Sequence, residues 1–323
     1  MSESTLSGQV RAYLGDAHSI EEQALAQLRS APDHAGDESL AQAFRDHLVE
    51  TESHERLVRE RLGELGEAPS RIKDLLMAAG GKGFVLFARS QPDTPGKLAA
   101  HAYSYEHLEF ASYQLLARVA EMAGDGDTAA LATGIAGEEW AMAERLAALF
   151  DRTTEASLAT ISSPPAEALK SYLSDAHAIE EQSIGLLERA AQVAGDPDLA
   201  SAYQQHLAES RRHQALVEER LGAAGGSPSH AKDVAMRAGA INWATFFQAH
   251  PDTPGKVAAF AYAFEHLEIG GYAQLMRVAR IAGDEQTARM AQEIVGEERN
   301  AAATIASQWD AAAAASLESV GAR

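Results

Sequence analysis

The sequence predicts an all-α protein built from two four-helix bundles in tandem, and three observations lead to that prediction. Apolar residues make up 46% of the 323 residues, enough for a packed core, while aromatic residues make up only 6%. Alanine dominates the apolar fraction, and this favours helices over strands. Apolar residues recur at helical spacing in long segments, with no sustained strand-like alternation. Finally, the second half of the chain repeats the first.

The internal repeat has a length of 159 residues, the distance from Tyr13 to Tyr172, and it continues without a gap. "DAHSIEEQ" returns as "DAHAIEEQ", and "PDTPGK" and "EHLE" each occur once in either half. A period of this length is a whole domain rather than a solenoid unit. We therefore predict a first bundle over residues 1–155, a proline-containing linker over 156–165 and a second bundle over 166–323.

Each copy contains four amphipathic segments that predict helices. In the first copy, helix one spans about residues 10–29, and helix two follows Asp37, a residue type that favours helix N-termini. Helix three begins at "DTPGK", and helix four follows "AGDGD" and ends near Phe150. About 30 residues with several glycines separate helices two and three. This arrangement predicts a long crossover between helices two and three of each bundle.

The charge and composition exclude several classes of function. The net charge of −20 argues against nucleic acid and anionic membrane surfaces as partners, because both require clustered Lys and Arg. The chain contains no cysteine, so disulfides and thiolate metal sites are excluded. No signal peptide and no apolar run long enough to span a membrane are evident. We therefore expect a soluble cytoplasmic protein without a membrane partner.

Carboxylates stand among the apolar positions of every helix, and the second copy preserves them. In the first copy they are Glu21, Glu50, Glu106, Glu109 and Glu139. A buried, ionised and unpaired carboxylate costs on the order of several kcal/mol, whereas a domain is stable by only about 5–15 kcal/mol. No Lys or Arg recurs on these faces in both copies. Protonation, water or cations must therefore compensate, and two divalent ions would nearly balance five carboxylates. Carboxylates with imidazole suit iron or manganese.

The motifs carry a family resemblance. "YLGDAHSIEEQ", "HLVETESH", "EHLEFASYQLL" and "GEE" make the chain resemble the ferritin-like di-iron carboxylate superfamily. In detail it is similar to the YciE/YciF-type ferritin-like family, here as a tandem pair. This resemblance implies two ferritin-like bundles, a two-metal centre in each and a link to stress responses. The ligands that it implies are, in the first copy, Glu21, Glu50, His54, Glu106, Glu109 and Glu139, and in the second copy Glu180, Glu209, His213, Glu265, Glu268 and Glu298.

The chain departs from the superfamily pattern in two places. Ferritin-like sites use Glu-x-x-His on two helices. Here Glu50 and His54 are four residues apart, and Met142 stands on helix four where a histidine would fall. His18 and His47 are interpreted as supporting residues that orient carboxylates rather than as ligands.

The resulting functional hypothesis is a protein with two iron or manganese ions per domain, iron being favoured. With O2 or H2O2 as co-substrate it would oxidise ferrous iron or turn over peroxide. Two alternatives stay open: a non-catalytic helical scaffold that binds metal weakly or not at all, and a di-metal oxygenase acting on an organic substrate. We expect the two halves to pack as a pseudo-dimer.

Overall fold

The computed structural model describes residues 5–69, 94–161, 163–228 and 253–322, and all regular secondary structure in these ranges is helical. The all-α prediction is therefore confirmed. The chain divides between Thr160 and Ile161 into two compact units. The helices of the first unit are α1 (Leu6–Leu28), α2 (Glu38–Glu64), α3 (Thr94–Met122), α4 (Gly126–Ala147) and α5 (Phe150–Thr160). Those of the second are α6 (Pro165–Val193), α7 (Pro197–Ala223), α8 (Thr253–Ala282), α9 (Glu285–Ala306) and α10 (Trp309–Ser319).

Each unit is a four-helix bundle with one additional short α-helix, and a 3-10 helix (Ala31–His34) also follows α1 in the first unit. In the first unit, α1 packs against α2 and α3, and α4 closes the bundle by packing against the same two helices. Helix α5 packs on α3. The second unit repeats this scheme, with α6 and α9 each packed against α7 and α8, and with α10 on α8. Four inward faces thus meet inside each bundle.

The predicted aspartate caps begin the second helix of each bundle. The Asp37 carboxylate accepts hydrogen bonds from the backbone N–H groups of Ser39 (2.9 Å) and Leu40 (3.1 Å). Asp196 caps α7 in the same way, and Pro197 occupies the first turn, where its missing N–H costs nothing. These caps fix where each helix starts and therefore which of its residues face the bundle interior.

A side-chain network ties the end of α2 to the start of α4. Asp125 caps α4 by accepting from the Thr128 backbone N–H (3.0 Å), and the Arg61 guanidinium binds both Asp125 (2.7 Å) and the Thr128 hydroxyl oxygen (2.8 Å). Arg220, Asp284 and Thr287 form the same network in the second unit. The register between these helices is thereby held by buried and half-buried polar contacts.

The starts of α2 and α3 lie side by side, which fixes the direction of both helices. Gly36 adopts φ +64°, and a Cβ at this position would lie 2.5 Å from Pro95 Cγ. Since Arg61 near the end of α2 binds Asp125 just beyond the end of α3, the two helices run in the same direction. The end of α2 and the start of α3 therefore lie about 40 Å apart, the length of α2 at 1.5 Å per residue. The predicted crossover itself, residues 70–93 and 229–252, lies outside the described residues.

Helix α5 was not predicted from the sequence. It ends at Thr160, inside the stretch predicted to be linker, and the boundary between the units follows it directly. The Ser157 hydroxyl accepts a hydrogen bond of 2.7 Å from the Gly96 backbone N–H in the first turn of α3. Ser316 does the same for Gly255 at 2.6 Å in the second unit. The short helix therefore satisfies a donor that the start of the long helix leaves open.

Across the described ranges, no helix combines the length and apolar character needed to cross a bilayer.

Candidate metal centre

Six ligand-type side chains meet inside the first bundle, and none has more than 3% of its surface exposed. Helices α1 and α4 contribute one each, and α2 and α3 contribute two each. The two residues of α2 are seven positions apart and those of α3 are three apart, so each pair shares one helix face. The six residues are Glu21, His47, His54, Glu106, Glu109 and Glu139.

A first donor group consists of His47, Glu106, Glu109 and Glu139, whose ligand atoms all lie within 4.8 Å of one another. His47 Nε2 is 2.9 Å from Glu106 Oε2 and 3.3 Å from Glu139 Oε2. One nitrogen and three carboxylates at such distances form a donor set that suits a divalent ion of the first transition row.

A second donor group consists of Glu21, His54 and Glu139, again within 4.8 Å. His54 Nδ1 lies 2.8 Å from Glu139 Oε1 and 3.9 Å from Glu21 Oε1. The Tyr113 hydroxyl donates a short hydrogen bond to Glu21 Oε1, which holds this carboxylate in place from outside the group. The other oxygen, Glu21 Oε2, has no hydrogen-bond partner among the described residues.

Glu139 belongs to both groups and presents a different oxygen to each. Its Oε1 approaches His54, and its Oε2 approaches His47. A carboxylate shared in this way bridges the paired metal ions of dinuclear sites, which lie about 3.5–4 Å apart. The two groups are therefore joined through Glu139 into one cluster that could hold metal.

The buried polar atoms of this centre fit a bound cation. His47 Nε2, His54 Nδ1 and both oxygens of Glu109 and of Glu139 have no hydrogen-bond partner within the described part of the chain. The nitrogen and oxygen atoms are close, yet their angles are not those of hydrogen bonds. Buried polar groups are rarely left in this condition, because each one costs about 1–3 kcal/mol. Ligand atoms that lie close together without hydrogen-bonding one another are what a metal site requires.

The second unit repeats the arrangement. His206 Nε2 lies 2.6 Å from Glu265 Oε2 and 3.1 Å from Glu298 Oε2, and Glu268 completes this group. His213 Nδ1 lies 2.8 Å from Glu298 Oε1 and 3.6 Å from Glu180 Oε1. Glu298 is thus the shared carboxylate here. The hydroxyl of Tyr272 donates to Glu180 Oε1 at 2.5 Å, as Tyr113 does to Glu21.

Each imidazole is held from the outside by a second, more exposed carboxylate. His47 Nδ1–H donates to Glu50 Oε2 at 2.9 Å, and His54 Nε2–H donates to Glu138 Oε2 at 2.7 Å. Since a carboxylate only accepts, these bonds keep a proton on the outer nitrogen, so the inner nitrogen is the one that could ligate a metal once it has lost its own proton. In the second unit Glu209 and Glu297 hold His206 and His213 at 3.2 Å and 2.5 Å.

Burial and mutual repulsion keep protons on most of the inner carboxyls in the absence of cations. Burial and the nearby Glu139 raise the pKa of Glu21 to about 8. Burial, opposed by the His47 charge, raises the pKa of Glu106 to about 7, and burial with Glu139 raises that of Glu109 well above its usual range. The pKa of Glu139 alone is lowered, to about 2, because its contacts with His47 and His54 outweigh its burial.

The two histidines supply the compensating positive charge. Burial lowers the pKa of His54, but its contacts with Glu139 and the charge of Glu21 outweigh this and raise it to about 9. The pKa of His47 is raised well above its usual range, chiefly by Glu106 against the effect of burial. Without cations the first unit therefore stores protons on the same atoms that would ligate a metal.

The structure brings most of the predicted residues together but corrects two assignments. Glu21, His54, Glu106, Glu109 and Glu139 lie in the cluster, so their inward positions are confirmed. Their role as metal ligands stays a prediction, as it does for their counterparts Glu180, His213, Glu265, Glu268 and Glu298 in the second unit.

Glu50 and Glu209 were expected to face inward, and the structure places them at the edge of the bundle. Their side chains are 37% and 32% exposed, and each binds the outer nitrogen of a histidine. His47 and His206, expected to be supporting residues, occupy the inner positions instead. The helical spacing does not separate these roles, because Glu50 lies three residues after His47 and four before His54, on the same side of α2.

A third group, found in the first unit, is formed by His18, Glu22 and Glu55 between α1 and α2. His18 Nε2 lies 3.0 Å from Glu55 Oε1, which also accepts from Arg59 at 3.1 Å. In the second unit Gln214 stands at the position of Glu55 and donates to Glu181 at 2.7 Å. His18 thus orients a carboxylate outside the two main groups, and the repeat does not preserve this arrangement.

Fold and site together define a class: a tandem helical-bundle protein with a buried carboxylate–histidine cluster in each bundle. Comparison with protein families identifies the chain more closely. It belongs to the family described as "Domain of unknown function (DUF892)", which matches twice, over residues 11–159 and 165–318. The two matches coincide with the two bundles. No solved structure gives a significant match.

Proposed function

We propose that each bundle is a ferritin-like di-metal protein that binds two iron or manganese ions, iron being favoured, and reacts with O2 or H2O2. Ferrous iron oxidation or peroxide turnover under oxidative stress is the function that such a centre serves. One observation carries the proposal: Glu139 presents its two oxygens to two separate donor groups, and Glu298 repeats this. A merely structural carboxylate–histidine pair would not require two groups.

Charge balance supports two ions rather than one. The first bundle contains four buried inner carboxyls, Glu21, Glu106, Glu109 and Glu139. With all four ionised and both imidazoles neutral, two divalent ions give an uncharged centre. Removing Glu50 from the inner set improves this balance, since it would have added a fifth negative charge. A neutral ensemble of this kind avoids the large cost of unpaired buried charge.

Iron or manganese in this position supplies one-electron redox chemistry toward O2 or H2O2. The protein side chains have three tasks around it. Glu106, Glu109 and Glu139 provide hard oxygen donors, and the packed leucines and alanines of the bundle exclude bulk water. Tyr113 and the outer carboxylates fix the orientation of the inner ligands. His47 and His54 also connect the interior with half-exposed carboxylates that can receive protons.

Metal analysis tests the proposal directly. Protein purified from cells supplemented with iron or manganese is expected to hold about two ions per unit, hence about four per chain, because each unit has two donor groups. A chelator is expected to lower the melting temperature, since an ion that binds only the native state stabilises it. Less than about one ion per unit, with a melting temperature that chelators do not change, would contradict the proposal.

Reactivity is tested separately from binding. Anaerobic protein loaded with ferrous iron is expected to change its absorbance on addition of O2 or of H2O2, and the faster of the two identifies the co-substrate. Bound metal without any such change would favour the non-catalytic alternative.

Replacing an outer carboxylate is expected to weaken metal binding without abolishing it. In Glu50→Gln and Glu138→Gln the inner nitrogen of the histidine stays in place but loses its oriented partner, and such changes typically cost about 10–100-fold in affinity. Glu52→Gln, an exposed position on α2, is the matched control and should bind like the parent. Complete loss of one ion in Glu50→Gln would instead indicate that Glu50 ligates that ion directly. Competition titration with a chromogenic chelator measures all three.

A further inference from the structure

One tyrosine of the second unit has a buried hydroxyl without a protein partner. Tyr203 on α7 is fully buried, and its hydroxyl has no hydrogen-bond partner among the described residues. Buried phenols usually have a partner, because an unsatisfied hydroxyl destabilises the folded protein. The equivalent residue of the first unit is Phe44, which is also buried, so the packing of the bundle does not require the hydroxyl.

Tyr203 lies beside the carboxylate–histidine cluster of its unit. It precedes His206 by three residues, so the two side chains share the inner face of α7. His206 Nε2 lies 2.6 Å from Glu265 Oε2, an oxygen that has no hydrogen-bond partner in the described ranges. Burial and the charge of Glu265 both raise the pKa of Tyr203, so the phenol and this carboxyl lie within electrostatic reach of each other. A donor without an acceptor and an acceptor without a donor thus occupy the same part of the second bundle.

The first unit shows what borders these positions when the hydroxyl is absent. Phe44 and Glu106, the equivalents of the tyrosine and the glutamate, line one cavity of about 20 Å³. A cavity of this size holds one water molecule, and Gln27 and Tyr105 supply further polar groups in its wall. In the second unit Leu186 replaces the amide of Gln27. The first unit can therefore place a water beside its carboxylate, whereas the second unit has a phenol that is fixed to the chain.

We propose that the Tyr203 hydroxyl donates a hydrogen bond to Glu265 when this carboxylate ligates a metal, and that the ion held by the His206 group is therefore bound more tightly than its equivalent in the first unit. Tyr203 is thus a positioning residue, and the inference rests on the proposed function. An ionised carboxylate accepts a stronger hydrogen bond than a neutral group does. In the first unit a water has to be immobilised to make the same bond, which costs entropy.

The binding test exchanges the two residues between the units of the full-length protein. Titration with manganese(II) or iron(II) against a chromogenic chelator is expected to resolve one ion per chain that binds most tightly. Tyr203→Phe should weaken the binding of this ion about 10-fold, the smaller effect expected for a hydrogen bond to a charged group. Phe44→Tyr should produce a second ion of the higher affinity. Tyr172→Phe, which makes the same change at a buried tyrosine of α6, is the matched control and should bind like the parent.

The metal-free protein supplies a readout that distinguishes this role from a structural one. Tyr203→Phe removes a buried donor without a protein partner, so its melting temperature is expected to equal or exceed that of the parent. The variant should fold, because the first unit carries phenylalanine at this position. A lower melting temperature would show that the hydroxyl already has a partner, such as a buried water, and would overturn the proposed bond to Glu265.

The remaining outcomes separate this inference from the proposed function. Unchanged or tighter binding of all ions in Tyr203→Phe, in a chain that binds metal normally, would overturn the role of Tyr203 alone. A parent chain that binds neither manganese nor iron would refute the proposed function, and this inference with it. The two failures are thus distinguishable.

Discussion

Replacing the shared carboxylate, Glu139→Gln or Glu298→Gln, is expected to remove both ions from the unit that carries the change. The amide keeps the volume of the side chain but loses the charge and one of the two bridging oxygens. The affinity of both ions should fall by more than the roughly 100-fold upper range of outer-carboxylate substitutions. Metal content per chain is expected to drop from about four ions to about two in either single variant and close to zero in the double variant. Elemental analysis after gel filtration measures this.

The unmodified unit is an internal control for each single variant, and Glu144→Gln controls for an exposed glutamate of α4. A Glu139→Gln protein that retains one ion in the first unit would show that the two donor groups are independent sites. Because removal of Glu139 leaves two buried histidines without their ionised partner, this variant can lose stability.

Glu109→Gln offers a second variant that leaves the metal-free protein intact. The raised pKa of Glu109 means that its carboxyl is already neutral without metal, so the substitution removes no charge from the folded apoprotein. Folding is therefore expected to be unaffected. The ion held by the His47 group should bind more weakly, whereas the ion held by Glu21 and His54 should be retained. Equal weakening of both ions would contradict the assignment of Glu109 to one group.

Metal loading at neutral pH is expected to release about four protons per unit. The groups that hold protons in the metal-free first unit are His47, His54, Glu21 and Glu109, and Glu106, with a pKa of about 7, is partly protonated. Because each must lose its proton before it can ligate a metal, protons compete with metal. Apparent affinity therefore rises with pH, steeply below pH 8.

The slope of apparent metal affinity against pH is expected to decrease each time the pH passes the pKa of one of these groups. Glu21 loses its proton near pH 8 and His54 near pH 9, so above these values neither contributes further to the pH dependence. Glu139, with a pKa of about 2, is ionised throughout this range and contributes nothing. Calorimetric titration in buffers of different ionisation enthalpy counts the protons. Release of fewer than about one proton per unit would contradict the stored-proton arrangement.

The bundle architecture could be predicted from the sequence, because helical periodicity and the internal repeat are both visible in a single chain. Asp37 and Asp196 marked helix starts correctly, since a cap depends only on neighbouring residues. Helix α5 escaped prediction because its role, satisfying the Gly96 N–H with Ser157, is a contact across 61 residues. Local sequence carries no sign of such a contact.

The candidate site could be predicted only in part, because some of its features depend on contacts between residues that are far apart in the sequence. Periodicity alone placed Glu21, Glu106 and Glu139 inside the bundle. The exchange of roles between His47 and Glu50 depends on the side chains that face them from α3 and α4. His47 meets Glu106 and Glu139 on the inside, whereas Glu50 meets solvent and Arg145 at 3.9 Å. Which of two adjacent ligand types turns inward is decided by those partners, and no pattern within α2 records them.

Phe44 on α2 and Tyr203 on α7 are buried at equivalent positions of the two units, and this difference bears on how the protein can evolve. An assembly of identical single bundles must carry every substitution in all of its copies. Here each chain carries a phenylalanine beside one cluster and a tyrosine beside the other, always in a one-to-one ratio. Covalent duplication thus permits the two sites of one chain to differ, because a substitution beside one cluster leaves the other unchanged.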